Sequence, residues 1–281
     1  MTKRVKINFV VMIALLSACS STQFIYFFAE EFIRNEVAYF INLNEEEEVV
    51  MSKQVSEIVT WHRTVMLPKY SDFINNIADK LAIGKYSTQD ISDFIIDGQS
   101  LIEETVVGLS PYASKFLIQY QTSKDIEFMK KKMKKRNKER LLEISKSEEK
   151  LYNDRLDRLK SNFKRYFGTL SNEQVSLLKI HARETLGDSQ IRLHNRTLRQ
   201  KVFLKFLKTQ PNESELTVYL NKLLLRGHLI INPNYQDFSR TSLERFKELL
   251  VNMLSISPVS QREKIIKNLR DYAEDFKNIS L

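Results

Sequence analysis

The residue types that most often carry catalysis or bind metals are few and scattered in this chain. Its 281 residues include four histidines, at positions 62, 181, 194 and 228, and a single cysteine, Cys19. No two histidines stand three or four residues apart, whereas zinc needs three or four converging ligands. No HExxH, CxxC or GxxxxGK pattern is present in the sequence either. We therefore expect no bound metal, no cofactor and no enzymatic activity.

The segment from Trp61 to Tyr70, WHRTVMLPKY, concentrates aromatic and polar side chains. Pro68 ends or kinks the helix that reaches it, because proline lacks an N–H group. Trp61 can anchor a core, and His62 and Arg63 can hydrogen-bond across to the helix that Pro68 begins. Two interpretations stay open. The four side chains, with Tyr70 beyond the kink, form either a structural latch, which we favour, or a ligand site beside a pocket.

A second candidate is the basic segment at residues 129–140, MKKKMKKRNKER, with eight basic residues and one acidic residue. That density exceeds one face of a helix, so the segment must be substantially exposed. It can lie against anionic lipid headgroups, where each charge contributes about 1 kcal/mol, or it can be an ordinary solvated helix. The candidate anion-binding residues are Lys130, Lys131, Lys132, Lys134, Lys135 and Arg136.

The N-terminus has the order of a secretory signal peptide. Lys3, Arg4 and Lys6 are followed by the apolar run at residues 7–16 and then by small residues. The apolar run is too short to cross a bilayer, which takes about 20 helical residues. We expect residues 1–18 to be removed on export, which lowers the formal net charge from +9 to +6 because three basic residues leave.

The residues that end this segment, Leu16-Ser17-Ala18-Cys19, resemble the bacterial lipobox. The resemblance implies that the Cys19 sulfur receives diacylglycerol, that acyl chains such as palmitate are attached, and that Cys19 becomes the first mature residue. Several acyl chains anchor a protein stably, whereas one anchors it only marginally. Ser20 stands where aspartate would favour the inner membrane, so we expect the outer membrane, with the protein facing the periplasm.

Two other interpretations of Cys19 stay open. The thiol can be a buried small apolar group, as free cysteines often are. Alternatively, residues 7–28 can form one uncleaved membrane anchor, since no charged residue falls in that range. The polar run at residues 20–23, SSTQ, argues against such an anchor. We favour the lipoprotein interpretation over both.

The remaining sequence predicts helices. Apolar residues recur at helical spacing almost throughout, and the chain has only six glycines and five prolines. Folds rich in β-structure need more turn residues. We therefore predict an all-α fold, an elongated multi-helix bundle of about nine to eleven helices after the cleaved signal peptide. Residues 19–281 are expected to form a single all-helical domain, with a soft seam near residues 145–170.

Several helix starts are marked by capping residues. Asn44 precedes the acidic run at residues 45–48, which the helix dipole favours in a first turn, so this run needs no metal to explain it. Ser171 and Gln174 have the spacing of a capping box. The dipeptide Ser110-Pro111 predicts another helix start, with serine as the N-cap.

Three segments carry a resemblance to a known family: WHR…LPKY at residues 61–70, FKRYFGTLSNEQ at 163–174 and LRDYAEDF at 269–276. Together with the lipobox-like cysteine, they resemble an uncharacterised lipoprotein family of Gram-negative bacteria, domain of unknown function sixty-two seventy-nine. The chain departs from that family's pattern at Tyr26-Phe27 and at residues 254–257, LSIS. The resemblance implies an all-helical envelope lipoprotein, and it brings no activity with it.

We therefore expect a lipid-anchored, periplasm-facing lipoprotein of the outer membrane with an interaction or scaffolding role. Its partners would be the membrane, through the lipid on Cys19, and an envelope protein or anionic lipid headgroups, but not nucleic acid. An alternative follows from LSNEQ at residues 170–174, which is similar to the LTxxQ signature of periplasmic chaperones for unfolded envelope proteins. An envelope hydrolase is a less favoured third hypothesis, since a catalytic triad would converge only in space.

Overall fold

The computed structural model describes residues 21–84 and 87–281, and most of these residues are helical. Twelve α-helices follow one another, and no β-strand occurs in these two ranges. In chain order they are α1 (Ser21–Phe27), α2 (Ala29–Phe40), α3 (Glu45–Trp61), α4 (Leu67–Ile83), α5 (Thr88–Leu117), α6 (Ser123–Ile144), α7 (Glu148–Phe167), α8 (Asn172–Glu184), α9 (Asp188–Leu207), α10 (Glu213–Leu225), α11 (Asn234–Ser255) and α12 (Val259–Ser280).

Two pairs of these helices are nearly continuous. Only Phe28 separates α1 from α2, and a π-helical turn, His62–Met66, joins α3 to α4. A short 3-10 turn, Gly227–Leu229, follows α10. When each nearly continuous pair is counted as one helix, the described helices number ten. The prediction of an all-α, elongated multi-helix bundle is confirmed.

The predicted caps at the starts of α3 and α8 are present. The Asn44 side chain accepts a hydrogen bond from the Glu47 N–H at 2.9 Å, and the Glu47 carboxylate accepts one from the Asn44 N–H at 2.8 Å. Ser171 and Gln174 make the same reciprocal pair, with both hydrogen bonds at 3.1 Å. Glu47, within the acidic run in the first turn of α3, therefore satisfies a helix terminus, as the sequence predicts.

One predicted helix start is wrong. The dipeptide Ser110-Pro111 lies inside α5, which continues to Leu117. Pro111 cannot donate a backbone hydrogen bond, but the neighbouring serines adapt the helix. Ser110 Oγ donates to the Val106 carbonyl at 2.7 Å, and Ser114 Oγ donates to the Ser110 carbonyl at 2.8 Å. Because serine can bond backward in this way, a Ser-Pro pair fits a helix interior as well as a start.

The described helices bury two separate apolar cores. The first core is built from α3, the end of α5, and parts of α6, α9 and α10, with Val55, Phe116 and Leu216 among its members. The second is built from α7, α8, α11 and α12, together with the C-terminal end of α4 and the N-terminal end of α5. Helix α5 contributes Ile91 to one core and Phe116 to the other. At 1.5 Å per residue this helix is about 45 Å long, which explains the elongated shape.

The C-terminal helix α12 packs along α4 and also contacts α1 and α7. Ser71 Oγ, which is buried, donates to the Ala273 carbonyl at 2.7 Å, and Arg270 pairs with Asp79 at 2.8 Å. This packing fixes the C-terminus against the helix that follows the π-turn. The predicted soft seam at residues 145–170 contains α7, which belongs to the second core, and the seam itself stays a prediction.

A buried pair of glutamines joins the start of α8 to the start of α12. Gln174 is 1% exposed, and its amide nitrogen donates to Gln261 Oε1 at 2.7 Å and to Ser257 Oγ at 3.2 Å. The amide nitrogen of Gln261 donates in return to Gln174 Oε1 at 3.1 Å and to the Thr169 carbonyl at 2.9 Å. We call this group the glutamine latch.

Candidate functional site

The segment at residues 61–70 is built around the π-turn that joins α3 to α4. The Leu67 N–H donates to the His62 carbonyl five residues earlier, which is the hydrogen bond of a π-helix. The cause is Pro68, which cannot donate to the carbonyl of Thr64 and whose ring would collide with it in a regular helix. The wider turn lets the chain continue into α4 without a break.

This turn decides which side chains face each other. Residues eight apart on a regular helix, such as His62 and Tyr70, point about 80° away from each other at 100° per residue. The extra residue of a π-turn reduces that angle to about 20°. The two rings accordingly meet edge to face, with centroids 5.7 Å apart. Single-turn π-bulges often occur at functional sites.

Tyr26, from α1, completes the surroundings of His62. The two rings are stacked, with centroids 6.0 Å apart, and the tyrosine oxygen lies 3.2 Å from His62 Nδ1. The Tyr26 hydroxyl also donates to the Val59 carbonyl at 3.2 Å. A tyrosine hydroxyl has one proton, so both hydrogen bonds are satisfied together when His62 Nδ1 carries the proton and donates.

Burial sets the protonation of this pair. Desolvation lowers the pKa of His62 below its ordinary value, so the neutral imidazole is favoured. Desolvation also raises the pKa of Tyr26 to about 12, against a smaller opposing effect of the nearby Arg63 charge. Among the residues that the structure describes, the hydrogen-bond partner of His62 is Tyr26, and no carboxylate bonds to the imidazole.

Tyr70 connects the corner to two more helices. Its hydroxyl is hydrogen-bonded to Thr105 Oγ1 of α5, and Thr105 in turn donates to the Leu101 carbonyl at 2.7 Å. The Tyr70 ring lies 6.2 Å from that of Phe276, near the end of α12. Residues from α1, α4, α5 and α12 therefore meet at the π-turn. We call the group formed by Tyr26, Trp61, His62, Tyr70 and Phe276 the aromatic corner.

Trp61 lies on the other side of the turn and packs against the backbone of α5. A Cβ atom placed on Gly108 would stand 2.1 Å from Trp61 Cζ2, so only glycine admits the indole ring at this distance. The Trp61 ring also lies 6.5 Å from the ring of Tyr112. Trp61 is half-buried rather than fully enclosed, because one side of its ring borders the surface.

A surface cleft of about 480 Å³ lies beside this tryptophan. Trp61 and Tyr112 line it together with Lys53 and Glu57, but His62, Arg63 and Tyr70 do not. Arg63 is exposed, and its side chain makes no hydrogen bond or ion pair with any other residue that the structure describes. The turn therefore brings His62 and Tyr70 into contact, whereas Trp61 packs against α5 on the other side and is the only one of the four predicted residues that lines the cleft.

The six basic residues predicted to bind anions do not form one patch, because α6 presents them on different faces. Lys132 lies 4.9 Å from the centre of the Tyr39 ring of α2. Arg136 pairs with Glu36, lies 4.0 Å from the same ring, and has its pKa raised by that carboxylate. These two residues attach α6 to α2. Lys130, Lys131, Lys134 and Lys135 are all exposed, and of these four only Lys130 and Lys134 line a cleft against α9.

Some predictions fall outside the residues described. Cys19 and the signal peptide at 1–18 lie before residue 21, so the lipid-attachment prediction stays a prediction. Within residues 21–84 and 87–281, no group of three or more histidine, cysteine, aspartate or glutamate side chains is placed to hold a metal ion. No helix in these ranges is both long enough and apolar enough to cross a membrane.

The residues that the sequence did not single out come from distant parts of the chain. In the sequence, Tyr26 is part of a departure from a family pattern, and Phe276 ends a segment that resembles that family. Gly108 and Thr105 carry no sequence signal at all. The extra residue in the turn could have been inferred from Pro68, because a proline inside a long apolar periodicity requires a local defect.

The fold and its corner define an all-α helical bundle with two cores, in which a proline-induced π-turn gathers aromatic side chains from four helices. The chain belongs to a family of unknown function, DUF6279, whose family model matches residues 39–236, more than half of the chain. The matched range includes the segments at 61–70 and 163–174 and ends before 269–276. No curated protein and no solved structure matches the chain.

Proposed function

We propose that this protein is a lipid-anchored lipoprotein of the outer membrane that faces the periplasm and has an interaction or scaffolding role rather than a catalytic one. The sulfur of Cys19 receives diacylglycerol, and removal of residues 1–18 then makes Cys19 the first residue of the mature chain. The observation that carries the proposal is the position of that cysteine. It follows a basic and apolar leader, and it stands two residues before Ser21, the first residue of α1.

Exposed aromatic residues close to the proposed anchor support this proposal. Phe27 is 81% exposed and Phe32 is 66% exposed. Phe28, between them, is 42% exposed and lies edge to face with Phe27, at a centroid distance of 5.2 Å. Aromatic rings favour the interface of a bilayer, where an apolar body and polar surroundings meet. A lipid at residue 19 would hold these rings next to such an interface.

The proposal is tested by the fate of two N-terminal variants in fractionated cells. Cys19→Ser should abolish lipid attachment and leave a soluble or unprocessed chain, because the thiol is the only possible acceptor in the sequence. Ser20→Asp should keep the lipid but move the protein to the inner-membrane fraction. Intact-mass analysis reports lipidation directly. A Cys19→Ser chain that is still processed and still recovered with membranes would contradict the anchor.

A second candidate function, binding of unfolded envelope proteins, is favoured by one observation. A groove of about 540 Å³ lies between α4, α5, α7, α11 and α12 and is lined mostly by apolar side chains. Phe246 lines it and is 42% exposed. Phe246→Ser should reduce the suppression of aggregation of an unfolded outer-membrane barrel, whereas Val218→Ser, at an exposed position outside the groove, should not. Equal suppression by both variants would remove the support for this candidate.

A further inference from the structure

A second concave surface lies between α6 and α9, far in sequence from the aromatic corner. It is a cleft of about 520 Å³, within the size range of small-molecule sites. Ile126, Met133 and Leu204 line the cleft, and all three belong to the first core or pack against it. The cleft is also lined by five lysines from the two helices: Lys130, Lys134, Lys201, Lys205 and Lys208.

These lysines leave a concentrated positive charge. Only Lys130 has an ion pair within the described chain, with Glu127 at 3.2 Å, and no aspartate or glutamate is among the residues that line the cleft. Like charges four residues apart, as at Lys201 and Lys205, destabilise a helix. All five lysines are exposed, and a bound anion would relieve the repulsion between them because opposite charges attract.

The polar residues of the cleft are tied to each other. Asn137 donates to Gln200 Oε1 at 2.6 Å and to Thr197 Oγ1 at 3.3 Å, which links α6 to α9. These contacts hold the two helices at a fixed separation, so the cleft is present before any ligand binds. A preformed site avoids part of the ordering cost of binding.

The chemistry of this cleft selects one class of ligand. The backbone groups of α6 and α9 are hydrogen-bonded within their own helices, so an extended peptide on the apolar floor would leave its amide groups without partners. An acyl chain has no such groups. We propose that the α6–α9 cleft binds an anionic amphiphile, with an acyl chain along Ile126, Met133 and Leu204 and a phosphate group among the lysines.

This site goes beyond the proposed function, because it does not require a lipid on Cys19. Native mass spectrometry of the full chain in a non-ionic detergent measures it, with added dioleoyl phosphatidylglycerol or dioleoyl phosphatidylcholine. We expect one phosphatidylglycerol to be retained per chain, and about tenfold more phosphatidylcholine to be needed for equal occupancy. Equal retention of the two lipids would overturn the proposal.

Matched variants separate the cleft from general basic charge. Lys134→Gln with Lys205→Gln should remove the preference for phosphatidylglycerol. Lys131→Gln with Lys135→Gln removes the same charge from α6 outside the cleft and should leave the preference within about twofold, as expected for surface charges screened by salt. If the control pair reduces binding as much as the cleft pair, the proposal is wrong. Far-ultraviolet circular dichroism checks that all variants fold.

A third variant distinguishes an amphiphile from a free phosphate. Met133→Gln keeps the lysines but makes the floor polar, so it should weaken retention of phosphatidylglycerol while leaving the binding of inorganic phosphate unchanged. If inorganic phosphate displaces the lipid completely and Met133→Gln has no effect on lipid retention, the acyl chain does not lie on the floor. That result would reduce the cleft to a simple anion site and contradict the proposal.

Discussion

The aromatic corner and the glutamine latch both join distant helices, but they do so with different degrees of enclosure. In the latch, Gln174 is 1% exposed, and both atoms of its amide group are hydrogen-bonded to other buried or capping groups. In the corner, His62 and Tyr70 are only half-buried, and ring contacts at about 6 Å supply much of the packing. The glutamine latch is therefore shielded from solvent, whereas the aromatic corner borders it.

This difference in enclosure indicates which of the two groups can contact a ligand in addition to stabilising the fold. LSNEQ, at residues 170–174, resembles a chaperone signature, yet its glutamine is fully used by a capping box and by Gln261. A buried, satisfied polar group contributes to stability and specificity of packing and has no donor left for a ligand. The corner contains a helix defect, a histidine whose neutral form is favoured, and a cleft beside Trp61.

The largest expected effect is on the latch. Gln174→Ala removes the capping partner of Ser171 and leaves the Gln261 amide and the Ser257 hydroxyl without one of their partners. Each buried group left unsatisfied costs about 1–3 kcal/mol, so we expect a loss of about 3–4 kcal/mol in the free energy of unfolding. Urea denaturation measures it. Gln119→Ala, at an exposed glutamine, should change stability by less than about 0.5 kcal/mol.

The corner should respond less, because it is only half enclosed. Gly108→Ala forces the indole of Trp61 to move, and overpacking of this kind costs about 1–3 kcal/mol. Gly187→Ala is the matched control, since no atom lies within 4 Å of a Cβ placed there and its φ is negative. A loss for Gly187→Ala as large as that for Gly108→Ala would contradict the packing argument.

A double-mutant cycle sharpens this prediction. Trp61→Ala alone should cost about 2 kcal/mol, less than the 3–5 kcal/mol expected for a fully buried tryptophan, because one side of the ring is already exposed. In the Trp61→Ala background, Gly108→Ala should become close to neutral, since the clashing ring is gone. Thermal unfolding of the four proteins gives the coupling energy. Strict additivity would show that the two residues are not in contact.

The smallest expected effect is a pH dependence at His62. Its pKa is lowered in the folded state by burial, so the unfolded chain binds more protons as the pH falls below about 6.5. Stability contributed by the neutral imidazole is therefore present at higher pH and is lost on acidification. His62→Gln should make the fall in stability between pH 6.5 and pH 5 shallower.

The control for this pH effect is His194→Gln, at an exposed histidine on α9, which should leave the slope unchanged. His181 is also buried, and desolvation lowers its pKa. Its contribution to the fall in stability at low pH is therefore present in both variants. Chemical denaturation at a series of pH values measures the slopes. Identical slopes for the wild type and His62→Gln would show that this imidazole is not desolvated by folding.

The secondary structure was largely predictable from local patterns. Asn44 and Ser171 cap the starts of helices, as their side chains predict. These features depend on residues within a few positions of each other. The prediction of a helix start at Ser110-Pro111 failed for the same reason. The local pattern does not reveal whether the serine hydroxyl caps a following helix or donates to the carbonyl four residues before it, as Ser110 does.

The candidate sites were predictable only in part. Three of the four residues named in the segment at 61–70 do meet other helices, but Tyr26, Gly108 and Phe276 were not identified as their partners. The basic segment at 129–140 was recognised, yet its division between α2, solvent and α9 depends on which face of α6 each neighbour covers. Helical periodicity gives the angle between side chains but not the neighbour that each one meets.

The amino-acid sequence by itself determined that this protein is all-helical, where most of its helices begin, and which family it resembles, because capping, periodicity and a proline-containing segment act within a few residues. Only the tertiary structure decided that Gln174 and Gln261 join α8 to α12 and that a π-turn aligns His62 with Tyr70. It also decided that lysines some 70 residues apart share one cleft. These features come from the packing of helices distant in sequence, which local free energies leave open.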